Sequence, residues 1–285
     1  MCSRFPRIIT LSACLAAVVA CRPSPPKSSS AMRVLKVCAD PNNLPFSNEK
    51  GEGFENRLAE LVARELNARV EYTWFAQRRG FIRHTLGAGL CDVVMGVPAN
   101  FELVETTRPY YRSTYVFLTR EDRNLDIASL DDPSLRSLNI GVHLVGDDYS
   151  NPPPAHALSQ RGLSRNIRGF SIYGNYSVAN PPSRLVEAVA NKEIDVAIIW
   201  GPFAGYFGRR QPVQLRITPV PSVFDQPHLP FAFQIAMGVR KGERDLGLEL
   251  DRVAERRERE ISLILAEYGV PAPAEIQHAT SRAEQ

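Results

Sequence analysis

Val37-Cys38-Ala39-Asp40-Pro41-Asn42-Asn43-Leu44-Pro45-Phe46 closes a short apolar run, Val34 to Val37, and opens a loop. The run reads as a β-strand. Two prolines, two asparagines and an aspartate then end it. An amphipathic helix pattern starts soon after, near Gly53. In an open α/β sheet, the loop that leaves the carboxyl end of a strand is where ligands bind. Asp40, Asn42 and Asn43 are therefore candidate cleft residues. The alternative is a plain strand-to-helix connection, with Asp40 as an Asx-turn residue before Pro41.

Composition narrows the class. The chain has 285 residues, 44% hydrophobic and 23% charged, as ordinary globular proteins do. Its net charge of +3 comes from 34 basic and 31 acidic residues spread evenly, which argues against a nucleic-acid binder. Arg4 and Arg7 precede an apolar run, Ile8 to Ala20, too short to span a bilayer. Residues 1–20 read as a signal peptide and 21–33 as a Pro- and Ser-rich tether. Val18-Val19-Ala20-Cys21 resembles a lipobox, which makes Cys21 a lipidation candidate; plain cleavage at the same place is the alternative. The mature protein is thus expected to be exported, touching the membrane only through such an anchor. Cys2 and Cys14 leave with the signal. Cys38 and Cys91 remain, an even pair in an oxidising compartment, and so a candidate disulfide. In neighbouring parallel strands of plain register their sulfurs would lie roughly 10 Å apart, out of reach; a register shift would be needed.

Periodicity extends outward from the first strand. Phe54, Leu58, Leu61, Val62 and Leu66 predict a helix over Gly53 to Leu66, closed by Asn67. Val70 to Trp74 alternates as a strand, Arg79 to Leu86 suits a short helix, and Cys91 to Val97 reads as a buried strand. An aromatic, β-branched strand follows at Ser113 to Thr119. A second β/α set then occupies Leu138 to Trp200, with helices at Pro154 to Arg161 and Ser183 to Ala190. The halves echo each other. Asp92 and Asp195 each enter an apolar strand, and Gly96 with Pro98, or Gly201 with Pro202, stand past its exit. Facing sheets would bring these exits and the Asp40 loop into one cleft. A strand at Phe231 to Arg240 and one long helix at Glu243 to Tyr268 complete the pattern.

The order of these elements resembles the class II periplasmic solute-binding fold. The segments that carry it are Cys38 to Phe46, Gly53-Phe54, Gly89 to Gly96, Pro109-Tyr110-Tyr111 and Gly238 to Gly242. The resemblance implies an α/β protein of two lobes, each a doubly wound, mainly parallel sheet, joined by a hinge of two crossing segments. Lobe 1 would be 34–112 plus 230–271, lobe 2 with the hinge segments 113–229, and 272–285 a loose tail. Cys38 to Asn48, Gln77 to Phe81, Cys91 to Pro98, Leu144 to Asp148 and Trp200 to Phe207 are similar to the MoxJ/XoxJ type. Those proteins accompany quinoprotein (PQQ) methanol dehydrogenases. The resemblance implies an accessory protein that binds the dehydrogenase and assists its maturation or activation. A receptor for an ABC importer with an unidentified small solute is the alternative.

Departures from the amino-acid binders of this fold are informative. Their Thr-x-x-Arg segment, which holds the ligand carboxylate, falls here on Val97-Pro98-Ala99-Asn100. Their acidic residue for the ligand amine falls on or near Trp200, and their polar turn becomes His143-Leu144-Val145-Gly146-Asp147. A zwitterion would lack both of its charged anchors. Pro98, Asn100, His143, Gly146, Asp147, Trp200 and Gly201 thus remain as cleft candidates, with Arg78 and Arg79 as grips for an anion or a partner carboxylate, or simply solvated. There is no G-x-S-x-G, H-E-x-x-H, P-loop or G-x-G-x-x-G. No histidine has metal spacing, so neither an enzyme, a cofactor nor a metal site is expected.

Overall fold

The computed structural model describes Met1 and residues 32–144, 152–172, 176–221 and 229–270. The expected signal segment, Cys21, Gly146, Asp147 and the tail from 272 lie outside those residues. The described chain opens with β1 (Arg33–Ala39), one residue earlier than the pattern predicts. Its exit loop folds back through β2 (Asn42–Asn43) and β3 (Ser47–Asn48), with a cis Leu44–Pro45 peptide between them. Next, α1 (Phe54–Glu65) buries Phe54, Leu58, Leu61 and Val62 on one face, as their spacing requires. The Asn56 side-chain oxygen accepts from the backbone N–H groups of Gly53 and Asn48, both at 3.1 Å, so the helix start is tied to β3. Asn67, left-handed at φ 49°, ends it.

The first half is then completed. β4 (Ala68–Trp74) runs parallel to β1 in register from Arg33↔Ala68 to Ala39↔Trp74. The expected helix at 79–86 is only one turn, α2 (Phe81–His84). Gly80, at φ 85°, sets its start, and the Thr85 hydroxyl donates to the Phe81 carbonyl at its end. β5 (Val93–Pro98) lies parallel on the other side of β1, and the short β6 (Glu105–Thr106) follows.

Cys38 and Cys91 are bonded, with Cα atoms 5.5 Å apart. No register shift is involved, since Cys38 still pairs with Val94. Instead the Leu90 carbonyl accepts from Thr73 Oγ1 on β4 while the Asp92 N–H donates to the Lys36 carbonyl on β1. The chain between those points crosses the face of β1 and sets Cys91 over Cys38.

β7 (Tyr111–Arg120) leaves this half. The second half holds β8 (Ile140–Leu144), α3 (Pro153–Gln160), β9 (Ile167–Ser171), α4 (Ser183–Ala190), β10 (Val196–Trp200), α5 (Gly201–Gly208) and β11 (Leu215–Pro219). The chain returns in β12 (Ala232–Val239) and ends in α6 (Arg244–Arg256) and α7 (Glu258–Glu267). The strand order is β4-β1-β5-β12-β7-β10-β8-β9, with β11 on β7 and β6 on β12. In each half three strands are parallel neighbours, β4-β1-β5 and β10-β8-β9. The antiparallel pairings come from the segments that cross. Tyr111 to Thr114 of β7 pair with β12; Tyr115 to Arg120 pair with β10 and β11. The two crossings also bond to each other, Tyr115 N–H to the Phe231 carbonyl and Val220 N–H to the Tyr115 carbonyl. This is the two-lobed α/β architecture that the resemblance implies.

Two differences have physical causes. α5 was hidden by its composition, Gly201-Pro202-Phe203-Ala204-Gly205-Tyr206-Phe207-Gly208. Proline is tolerated in a first turn, and burial of seven of the eight residues outweighs the glycine penalty. The long C-terminal helix is interrupted at Arg257 (φ −111°, ψ 17°), yet Arg257 N–H still donates to Val253 and Ile261 N–H to Arg257. The largest apolar cluster runs unbroken from Leu35, Phe54 and Leu58 through Tyr111 and Ile235 to Leu185, Ile199 and Phe203, so both halves share one core.

Candidate functional site

The Asp40 loop is built by hydrogen bonds, all internal to the protein. Asp40 is buried; Oδ1 accepts from the Asn42 N–H (2.8 Å) and Oδ2 from the Gln77 N–H (2.7 Å). Burial raises its pKa, and those two amides work against the rise. Ser47 completes the knot: its hydroxyl donates to the Asp40 carbonyl and accepts from the Asp40 N–H. Asp40 therefore fixes the loop and does not line the cavity described next.

That cavity, of about 280 Å³, lies where β-strand ends from both halves meet. From the first half come Asn43, Phe46, Glu55, Gln77, Gly96, Val97 and Pro98. The crossing segments supply Tyr111, Tyr115, Phe233 and Ile235. The second half supplies His143, Pro152, Ile172, Trp200 and Phe203. The walls are mostly rings. Phe46 meets Phe203 edge-on across the halves at 5.2 Å, and Trp200 packs edge-on to Tyr115 (5.3 Å) and Phe233 (5.7 Å). Placed at the end of β10, Trp200 is aimed here by the strand's alternation.

Three polar groups stand out among the walls. Glu55, in the first turn of α1, is buried, and desolvation pushes its carboxyl up to about 8. A Cβ at Gly96 would collide with Glu55 Oε1, so only glycine there leaves the carboxyl its place. His143 is also buried; desolvation holds its imidazole down to about 4, so it is neutral at pH 7. Its Nε2 donates to the Pro182 carbonyl at 3.3 Å, and its ring meets Phe203 at 5.0 Å. Asn43 donates through Nδ2 to Gln77 Oε1 (3.2 Å), while its Oδ1 is buried with no hydrogen-bond partner among the described residues.

Of the residues expected from sequence, Asn43, Pro98, His143 and Trp200 meet at the cavity. Of the others, those within the described residues do not line it. Asn42 joins the halves elsewhere: Nδ2 donates to the Val178 carbonyl (2.8 Å) and Oδ1 accepts from the Asn180 N–H (3.1 Å). Arg78 and Arg79 are exposed outside the lining. Asn100 is an exposed, left-handed turn residue at φ 63°. Gly201 packs α5 onto β7, since a Cβ there would stand 2.9 Å from the Thr114 carbonyl oxygen. Sequence reasoning missed Glu55, Gln77, Phe46 and Tyr111. Glu55 looked like an ordinary first-turn acid; the signal available was its place beside Gly53-Phe54 in the resemblance. Among the described residues no cluster of three or more His, Cys, Asp or Glu could hold a metal, and no helix is long and apolar enough to cross a membrane.

Comparison with known proteins gives this geometry a setting. The model of the bacterial extracellular solute-binding proteins, family 3, matches residues 35–268. Protein MoxJ of Methylorubrum extorquens (strain AM1) is 32% identical over 283 residues, covering 93% of this chain and 94% of that protein. The crystal structure of MxaJ from Methlophaga aminisulfidivorans MPT superposes with a TM-score of 0.74 at 27% identity, over 84% of this chain and 99% of that one. The crystal structure of the periplasmic binding protein XoxJ from Methylobacterium extorquens AM1 does so at 0.68 and 35% identity, over 84% and 98%.

Proposed function

This chain belongs to family 3 of the bacterial extracellular solute-binding proteins, as a member of the MoxJ type, and on that premise we propose that it is a periplasmic accessory protein of a PQQ-dependent methanol dehydrogenase. It would bind the dehydrogenase and assist its maturation or activation. The observation that carries this reading is the loss of the amino-acid clamp. By the resemblance, the carboxylate-binding arginine would fall on Asn100, an exposed turn residue, and the acidic partner on or near Trp200, a lining residue of the cavity. With both charged anchors gone, the fold retains its two-lobed frame without the means to hold an amino acid. At the cleft rim the half-buried Asn42 and Trp200 would then help to shape a surface for the enzyme, with Asp40, Asn43 and Gly201 buried behind it as its support. Export would use residues 1–20, with lipid attachment at Cys21.

Affinity capture from a periplasmic extract tests the reading. The tagged protein is expected to retain the PQQ dehydrogenase, in its cofactor-free or its loaded form. Failure with both forms would overturn it. The second reading, a receptor for a small solute that is not an amino acid, is favoured by the cavity itself. A thermal-shift screen of periplasmic solutes checks it, since a specific ligand raises Tm by mass action.

A further inference from the structure

We propose that the cavity is a binding site for a small organic ammonium ion, held by the Glu55 carboxylate among aromatic faces. The proposal rests on the reading of the cleft as a binding-protein site and names the ligand class that the site would take.

Three observations combine. First, Glu55 is buried, faces the cavity and has no hydrogen-bond partner among the described residues, although buried carboxyls are normally paired. Glycine at position 96 keeps the space that the carboxyl occupies. Second, Phe46, Tyr111, Tyr115, Trp200, Phe203 and Phe233 present rings to the same space. A cation over such faces is attracted by the ring quadrupoles, most strongly by tryptophan. Third, no Lys or Arg occurs among the described lining residues, and His143 is neutral at pH 7. An anion, or the carboxylate of a zwitterion, would find no positive charge among the described lining residues. A compact cation meets rings and one carboxylate. The cavity, at about 280 Å³, has the liquid volume of roughly nine waters, room for a quaternary amine of modest size.

The charge balance is simple. In the empty protein at pH 7 the Glu55 carboxyl carries its proton. When the ammonium enters, that proton leaves to solvent and one ion pair forms. The titratable groups facing Glu55 are Tyr72 on β4, Tyr110 just before β7 and Tyr111 at its start; all three are phenols with raised pKa, neutral over the range concerned. The first turn of α1 favours negative charge at Glu55, so the ionised form is within reach.

Calorimetric titration with choline tests this on the full-length protein, with tryptophan fluorescence, from Trp74 and Trp200 together, as a second readout. Single-site binding is expected, with affinity rising about tenfold per pH unit toward pH 8 and then levelling, and one proton released per cation below that pH. 3,3-Dimethylbutan-1-ol, the neutral isostere of choline, should bind at least tenfold more weakly. Glu55→Gln should bind choline at least tenfold more weakly at pH 8.5 and lose the pH dependence. Equal binding of choline and its isostere would overturn the proposal, as would no saturation by choline or tetramethylammonium. Both results use the native protein, so they stand even if the variant misfolds. Dehydrogenase capture separates the two readings. Capture without ammonium binding sinks only the ligand proposal; ammonium binding without capture sinks only the dehydrogenase assignment.

Discussion

Asp40 and Glu55 are buried carboxyls of the same half, and their surroundings set them different tasks. Asp40 has both oxygens occupied by backbone N–H groups, from Asn42 and from Gln77. Asp40→Ala leaves those donors unsatisfied and should cost about 1–3 kcal/mol, read from urea unfolding. Glu55 has no such partners, and its effect is on pH dependence. Its folded pKa of about 8 exceeds the ordinary 4.5, so its contribution to stability is full below pH 4.5 and lost as pH rises through 8. His143 acts in the opposite sense. Its folded value of about 4 lies below the ordinary 6.5, so its contribution is full above pH 6.5 and lost as pH falls through 4. Between pH 4.5 and 6.5 the two slopes cancel. From pH 6.5 to 8 the protein should lose on the order of 2 kcal/mol. Glu55→Gln should abolish that fall in urea unfolding at the two pH values. At this scale the sequence was partly legible. Trp200 and His143 sit at strand ends, where position suggests a cleft. Glu55 shares its pattern with any acid that favours a helix N-terminus, and burial cannot be read from one letter.

Elements were legible where periodicity was strong. α1 and α4 carry apolar residues at helical spacing, and both match their expected ranges within a residue. α5 was not legible, because its glycines and proline signal a turn. Its reason is tertiary. Gly205 packs against the Gly269 backbone, and Tyr206 stacks on Tyr268 at 5.6 Å, so α5 and the end of α7 touch at their narrowest residues. Gly205→Ala would drive a Cβ into the Gly269 carbonyl and should cost about 1–3 kcal/mol, measured as a lowered Tm. The Cys38–Cys91 bridge was legible as an even cysteine pair, but its geometry was not. In plain register the sulfurs would stand too far apart, and the bridge forms without a register shift because the chain entering β5 crosses over β1. The bridge closes a loop of separation 53, so Cys38→Ala with Cys91→Ala should lose up to about 4 kcal/mol in denaturant.

At the scale of the whole molecule, the order of strands and helices carried the fold, since α/β alternation and two similar strand exits already describe two halves. How the halves meet was not in that order. Asn42 bridges them through Val178 and Asn180, and Phe46 touches Phe203. Asn42→Ala removes both bonds and should cost about 1–3 kcal/mol in all. It should also widen the spread of conformations, seen as a larger radius of gyration in small-angle X-ray scattering. The crossing of β7 and β12 has a consequence for biogenesis. Among the described residues, the edge of β5 that faces away from β1 is covered by β12, whose Val239 pairs with Val93. Everything that builds the second half lies between them in the chain. A polypeptide threaded through the export machinery from its N-terminus thus finishes its second half while the first still shows a bare apolar strand. Such an edge is a template for wrong pairing with other chains. Release of the last strand closes it, and a chain cut short before residue 232 would carry the exposed edge for its lifetime.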